Sequence, residues 1–165
     1  MDKKQKVLKL ISDLPMIIAM VGLTVSVSFT CVNVFTRYFL DYTFAGTSEI
    51  ISICFTWMIF SGTAYAYKMG QHYGIDLLVD MLPAAAQRVI KLIMDVLMIV
   101  VFVYCVQLSF TYTRNVVDSP MPALRISYAW YYTSAIYGFG MMLIYAVKDL
   151  IRDVKAFRNK GGQAV

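Results

Sequence analysis

Glu49 and Arg37 are the first residues to weigh for chemistry, because each stands at the edge of a long apolar run. A charge in hydrocarbon costs roughly 2.5–3.5 kcal/mol even on lenient scales, so an ionisable group there needs a reason. Glu49 opens an apolar run just after Thr47 and Ser48, where a helix N-terminus stabilises a carboxylate and either hydroxyl can cap. Anchoring is the simpler role. The functional alternative pairs it with Arg37, which closes the preceding run and could meet it at the same depth, locking two helices or binding a neighbouring subunit. Asp95 follows Lys91 by one helical turn, so an i,i+4 ion pair accounts for both. His72 is the only histidine, which excludes bis-histidine haem ligation and a histidine-rich metal site. Asp76 and Asp80 follow it at four and eight residues and can share its helical face, where a solvated surface is a simpler reading than a metal site. No nucleophile elbow, phosphate loop or zinc motif occurs. Cys31, Cys54 and Cys105 fall in apolar runs without C-x-x-C spacing. The inventory is too small for an enzyme, and neither a catalytic residue nor a cofactor is expected in this chain.

The elements that must position these groups are membrane helices. A mean hydropathy of +0.64 with 15% charged residues is too apolar for a soluble domain of this length. Four uncharged runs stand out, Leu14 to Thr36, Ile50 to Tyr67, Val96 to Thr113 and Ile126 to Val147. Extended by their partly polar ends, they predict spans at about 14–37, 45–67, 92–113 and 126–147 in a single membrane domain over 1–165. The runs are continuous rather than alternating, which argues against a β-barrel. The first is too long for a signal peptide and lacks a small-x-small cleavage site, so it reads as an uncleaved helix.

Lysine and arginine placement predicts the orientation. With the N-terminus inside, twelve of the fifteen basic residues lie in the cytoplasm and only Arg37, Arg114 and Arg125 lie outside, so both termini are expected to be cytoplasmic. The net charge of +5 then reports topology rather than nucleic-acid binding. Val7, Leu10, Ile11 and Leu14 recur at helical spacing ahead of Pro15, which predicts a helix lying in the interface and a change of direction at the proline. Leu150, Ile151, Val154 and Phe157 alternate with Arg152, Lys155 and Arg158 in the same manner after the last run. A third surface helix is expected in the cytoplasmic loop between Gly70 and Arg88. The fold class is therefore an all-α integral membrane protein of four transmembrane helices with amphipathic interfacial helices at the N-terminus, in the cytoplasmic loop and at the C-terminus. Tyr38, Phe39, Tyr42 and Phe44, with Tyr128, Trp130, Tyr131 and Tyr132, predict an aromatic belt at the outer surface. The third loop contains Ser119-Pro120-Met121-Pro122, which stiffens the turn. Gly62-x-x-x-Ala66, Ser134-x-x-x-Gly138 and Thr24-x-x-x-Ser28 are small-residue steps that permit close helix contact.

Several of these residues together resemble a known family. Asn33-Val34-Phe35-Thr36-Arg37-Tyr38 closes the first run, Glu49 opens the second and Trp57 lies within it. Phe60-Ser61-Gly62-Thr63-Ala64, Gly70-Gln71-His72 with Asp76, Leu82-Pro83 and the stretch from Ser119-Pro120 to Leu124-Arg125-Ile126 follow in order. In order and spacing they resemble the small membrane subunit, often called the Q subunit (DctQ-like), of tripartite ATP-independent periplasmic (TRAP) transporters. Where that family often carries a tryptophan and a second acidic residue beside the glutamate, this chain has Gly46 and Ser48.

The resemblance implies a bacterial inner-membrane complex in which a periplasmic binding protein delivers an organic acid to a large membrane subunit that performs sodium-coupled uptake. The small subunit would support the large one, meet the binding protein through outer loops one and three, and contact membrane lipids, while sodium coupling resides in the large partner. Substrates of the family include C4-dicarboxylates and sialic acid, and the overall resemblance leans towards sialic acid. Asn33, Arg37, Tyr38, Glu49, Trp57, Gly62, His72 and Asp76 are the candidates for subunit contact or helix locking. Two other readings remain open: an independent four-helix exporter that trades protons for cationic drugs through Glu49, and a structural subunit of an unrelated membrane complex.

Overall fold

The computed structural model describes residues 3–70 and 84–161. Four helices carry most of them: α1 Lys3–Phe39, α2 Thr47–Lys68, α3 Ala84–Asn115 and α4 Ala129–Gly161. Each contains a stretch apolar enough to cross a membrane, Asp13–Phe39, Thr47–Lys68, Ile90–Asn115 and Ala129–Lys155. The shortest has 22 residues, about 33 Å of helix, which matches a hydrocarbon core about 30 Å thick. The chain is a multi-pass, all-α membrane protein.

Lipid cannot hydrogen-bond, so polar side chains inside the helices must find partners within the protein. Thr24, Thr30, Thr56, Thr63, Thr111, Thr113 and Thr133 each donate to the carbonyl four residues earlier at 2.7–2.9 Å. This returns each hydroxyl to its own helix and keeps it out of the lipid.

The amphipathic segments at the two ends are continuous with the first and last spans. α1 runs through Pro15 without interruption, so the change of direction expected at that proline is not a helix break. The ring is almost wholly buried, and packing offsets the backbone hydrogen bond that a proline removes. α4 likewise continues past its apolar stretch to Gly161. The surface helix expected between Gly70 and Arg88 falls largely outside the described residues, as do His72, Asp76 and Asp80.

The helices form a row rather than a closed bundle. α1 packs on α2, α2 on α4, and α4 on α3, giving the order 1-2-4-3. α1 and α3 are the edges: only 11% of the most apolar window of each is buried within the chain, against 33% for α4. The core sits where α2, α3 and α4 converge. It contains Ala64, Tyr67, Phe102, Met142, Tyr145 and Ala146, with the rings of Tyr67 and Phe102 edge to face at 5.3 Å.

Small residues set two of the crossings. A Cβ on Gly138 would lie 2.7 Å from Phe60 Cβ, and Ser134 one turn earlier is fully buried, so the Ser134–Gly138 step is where α4 meets α2. α1 approaches α2 at Gly22, whose added Cβ would lie 3.0 Å from the Cys54 carbonyl oxygen and 3.2 Å from Met58 Cβ. Gly62 has only ordinary contact there, 3.9 Å to Ala19 Cβ, and Thr24 and Ser28 face away from the chain's interior.

Each outer pair is also tied by an ion pair at the end of the row that carries the N-terminal part of α1 and the C-terminal part of α4. Lys68 Nζ lies 2.9 Å from Asp13 Oδ1, joining α2 to α1, and Lys91 Nζ lies 3.0 Å from Asp153 Oδ2, joining α3 to α4. The second corrects the expected Lys91–Asp95 pair. Helical spacing sees only α3 itself, whereas the charged tail of α4 brings Asp153 closer. Such partly exposed pairs contribute up to about 1 kcal/mol each and serve mainly to set register.

The α2–α4 crossing yields a matched test. Gly138→Ala is expected to destabilise the protein by about 1–3 kcal/mol through overpacking against Phe60. Gly140→Ala, with open space around it, is expected to be neutral or up to about 1 kcal/mol stabilising. Thermal unfolding of the two variants in detergent distinguishes them, and equal midpoints would show that the crossing does not depend on Gly138.

Candidate functional site

The third loop, residues 116–128, joins α3 to α4 and folds back over the first turn of α2. Pro120 bridges to Ser127, and Met121 N–H donates to the Ile126 carbonyl at 2.8 Å. Between them, Arg125 N–H donates to the Met121 carbonyl at 3.1 Å, closing a single helical turn over Met121-Pro122-Ala123-Leu124-Arg125. Arg125 ends it in the left-handed region at φ 53°. A turn of this kind leaves its first N–H groups without internal acceptors. Pro122 has none to leave, but Ala123 and Leu124 do.

Glu49 supplies both acceptors. Its Oε1 accepts from Ala123 N–H at 2.9 Å and its Oε2 from Leu124 N–H at 2.8 Å. The carboxylate thus caps a turn 74 and 75 residues away in sequence. Two hydrogen bonds to a charged acceptor are worth about 1.5–3 kcal/mol each. α2 itself begins at Gly46 with no side-chain cap, so neither Thr47 nor Ser48 takes the expected capping role. Gly46 is buried under Leu124, whose Cδ2 would lie 2.6 Å from an added Cβ. The loop therefore sits where a larger residue at 46 would stand. Ser127 completes the arrangement: its hydroxyl donates to the Val117 carbonyl at 2.6 Å and accepts from Ala129 N–H at 3.1 Å at the start of α4.

Beside the carboxylate lies a cavity of about 340 Å³. Ser48, Glu49 and Ser52 line it from α2, Tyr128, Tyr131 and Tyr132 line it from the start of α4, and buried Met121 closes it from the loop.

The other sequence candidates are dispersed. Arg37, in the last turn of α1, is exposed and does not pair with Glu49, whose oxygens face the loop. Tyr38 is also exposed. Asn33 keeps a buried Oδ1 without a hydrogen-bond partner among the described residues. Trp57 links α2 to α4: its Nε1–H donates to the Trp130 carbonyl at 3.2 Å and its ring lies 5.7 Å from that of Tyr137. Gly62 faces α1, and His72 and Asp76 lie outside the described residues. Asp95 is 1% exposed, its Oδ2 has no hydrogen-bond partner among the described residues, and it interacts electrostatically with Asp153, Lys91, Asp149 and Arg152.

Two features escaped the sequence reading. The Glu49 contact has no local signal beyond Pro122, which marks the first position of a helical turn. Gly22 does have one, since Gly22 and Ser26 form a small-x-x-x-small step, and Ser26 Oγ donates to the Ile51 carbonyl of α2 at 3.3 Å.

Residues 26–156 match the family described as tripartite ATP-independent periplasmic transporters, DctQ component. The chain belongs to this family. The match takes in α1 from residue 26 onward, the whole of α2 and α3, and α4 as far as residue 156, with Glu49 and the third loop inside it. Among curated proteins, the ectoine TRAP transporter small permease protein TeaB of Halomonas elongata is 28% identical over 152 residues, covering 88% of this chain and 79% of that one. A putative TRAP transporter small permease protein of Haemophilus influenzae is 34% identical over 68 residues, 41% of this chain and 42% of its own length. This DctQ component is therefore a small permease subunit of a TRAP transporter, a transport component rather than an enzyme. Within this subunit the Glu49 carboxylate is bound to the third loop.

Glu49→Gln presents an amide N–H₂ towards one of the two loop donors and removes the charge from the other bond. Hydrogen exchange at the Ala123 and Leu124 amides is expected to accelerate by roughly tenfold or more, the equivalent of about 1.4 kcal/mol. Exchange in the core of α2 is expected to stay as it is. Unchanged protection at both amides would show that the carboxylate does not hold the loop.

Proposed function

We propose that this chain is the static membrane partner of a large TRAP transport subunit in the bacterial inner membrane, with both termini in the cytoplasm and the Glu49 end of the row facing the periplasm. The observation that carries the reading is the open row. Its edge helix α1 leaves Thr24 and Ser28, a small-residue step, on a face that nothing else among the described residues covers. Small residues on a membrane helix let a second backbone approach closely, and van der Waals contact at such steps drives helix association where lipid offers no hydrophobic contrast. The large subunit is the occupant that family membership supplies.

Placing the third loop and Arg37 on the periplasmic side agrees with the basic-residue asymmetry, three on that side against twelve on the other. It also presents the Glu49-held loop to a periplasmic binding protein. Substrate and sodium sites belong to the large subunit in this reading, because Glu49 is bound to the third loop and Asp13, Lys68, Lys91 and Asp153 are held in ion pairs between helices. The cargo is an organic acid or similar small solute. Sialic acid and C4-dicarboxylates follow from the family resemblance, and ectoine is the solute in the name of the TeaB relative.

Uptake of radiolabelled sialic acid, succinate and ectoine, with and without sodium, in cells carrying the binding protein and large subunit tests the assignment. Uptake of one solute is expected to require this chain, and unchanged uptake in its absence would overturn the reading. Replacing Thr24 and Ser28 together by leucine is expected to reduce co-purification of the large subunit at least several-fold while leaving the chain's own helicity intact. Undiminished co-purification would move the contact to another face.

A further inference from the structure

The cavity beside Glu49 holds two kinds of unused chemistry. Each carboxylate oxygen accepts one N–H from the loop, but a carboxylate offers about four acceptor positions. Its charge is also uncompensated: among the described residues no lysine or arginine pairs with Glu49, and Arg37, Arg114 and Arg125 form no ion pair with it. Tyrosine rings flank the same space, and a ring face attracts a cation. The hydroxyls of Tyr128, Tyr131, Tyr132 and Ser48 make no hydrogen bond within the described residues, so they are free to donate. A cavity with a lone carboxylate, aromatic rings and spare O–H donors fits a zwitterion whose ammonium meets Glu49 and whose anionic group meets the hydroxyls. A basic protein side chain would use only the first half of this site.

Position in the membrane narrows the ligand further. The cavity sits at the first turn of a spanning helix, at headgroup depth, and its volume of about 340 Å³ lies at the lower end of the range of about 300–1,000 Å³ typical of small-ligand sites. Below Ser48 and Ser52 on the same face of α2, Phe55 and Ile59 are exposed and continue one and two turns into the hydrocarbon. That stripe is an acyl-chain track leading away from a headgroup pocket. We infer that the Glu49 cavity is a binding site for a phospholipid with a primary-amine zwitterionic headgroup, of the phosphatidylethanolamine type. The ammonium donates to Glu49, the phosphate accepts from the tyrosine and serine hydroxyls, and an acyl chain runs along Phe55 and Ile59.

The purified full-length chain, with the large subunit retained where it co-purifies, is stripped of lipid and titrated with phosphatidylethanolamine, phosphatidylcholine or phosphatidylglycerol. Retained lipid is then counted by native mass spectrometry. Phosphatidylethanolamine is expected to be retained at least fivefold over phosphatidylglycerol, which has no cation. Phosphatidylcholine, whose methylated ammonium has no N–H to give the carboxylate, is expected to fall between them. Ser48→Trp fills the cavity from an exposed position while leaving the Glu49 bonds untouched, and protected Ala123 and Leu124 amides would verify that the loop is intact. In that variant the preference is expected to fall to about one. Equal retention of the three lipids by the unaltered chain would overturn the site, and so would an undiminished preference in Ser48→Trp with its loop protected.

Discussion

Two backbone N–H groups at the membrane edge, those of exposed Ala123 and half-buried Leu124, have no acceptor within their own turn. Glu49 meets both at once. The geometry of the third loop follows from this: Pro122 begins the turn, Arg125 ends it in a left-handed conformation, and Ser127 passes the chain on to α4. Because the loop is fixed to α2 at one end and starts α4 at the other, the contact sets where α4 begins relative to α2. Trp57, which donates to the Trp130 carbonyl in the first turn of α4, repeats that restraint deeper in the membrane. The central pair of the row is therefore joined by polar contacts at its loop end and by close packing at Gly138.

The rest of the row is built by a different force. Lipid tails are as apolar as the helices they surround, so burying leucine against leucine contributes little there, and close approach matters more. Gly22 and Gly138 mark two of the three crossings because an added Cβ at either would intrude on the neighbouring helix. Core aromatics then fill the wider spaces, Tyr67 against Phe102 and Phe60 against Phe139. The ion pairs Lys68–Asp13 and Lys91–Asp153 act at the opposite end, where water returns. Among the described residues, a row joined in this way leaves its two edge helices largely uncovered, which suits a subunit whose fold is one part of a larger membrane assembly.

Four helices were legible in the sequence because hydropathy over twenty residues is a local property, and so was their all-α class. Their order across the row was not, since 1-2-4-3 depends on which small residues meet, and hydropathy ranks all of them alike. Ser134 and Gly138 were recognisable as a step that permits contact, but Thr24 and Ser28 carry the same pattern and face outwards. Glu49 could be singled out as a residue that needs a reason, while its partner could not be found. Pattern reasoning pairs charges with charges, and the real partners are backbone N–H groups that a proline-directed turn presents from the far side of the sequence. Lys91 shows the same limit in reverse. Helical periodicity offered Asp95, and the tertiary fold offered Asp153.

Gly46 and Ser48 make physical sense together. The bare Cα of Gly46 leaves room for Leu124 and so lets the loop descend far enough for Glu49 to reach two N–H groups. A carboxylate in place of Ser48 would add a second negative charge beside the first with no cation nearby among the described residues, raising the cost of both at the membrane edge. The small hydroxyl instead leaves the cavity open and singly charged. Any cationic ligand that settles there shares its carboxylate with the third loop, so loop order and ligand binding draw on one charge. Two equilibria that draw on the same group are thermodynamically linked, so whatever factor the ordered loop applies to the ligand's affinity, the bound ligand applies to the loop's order. The surface proposed to meet a binding protein and the proposed lipid pocket are in this way connected through a single side chain.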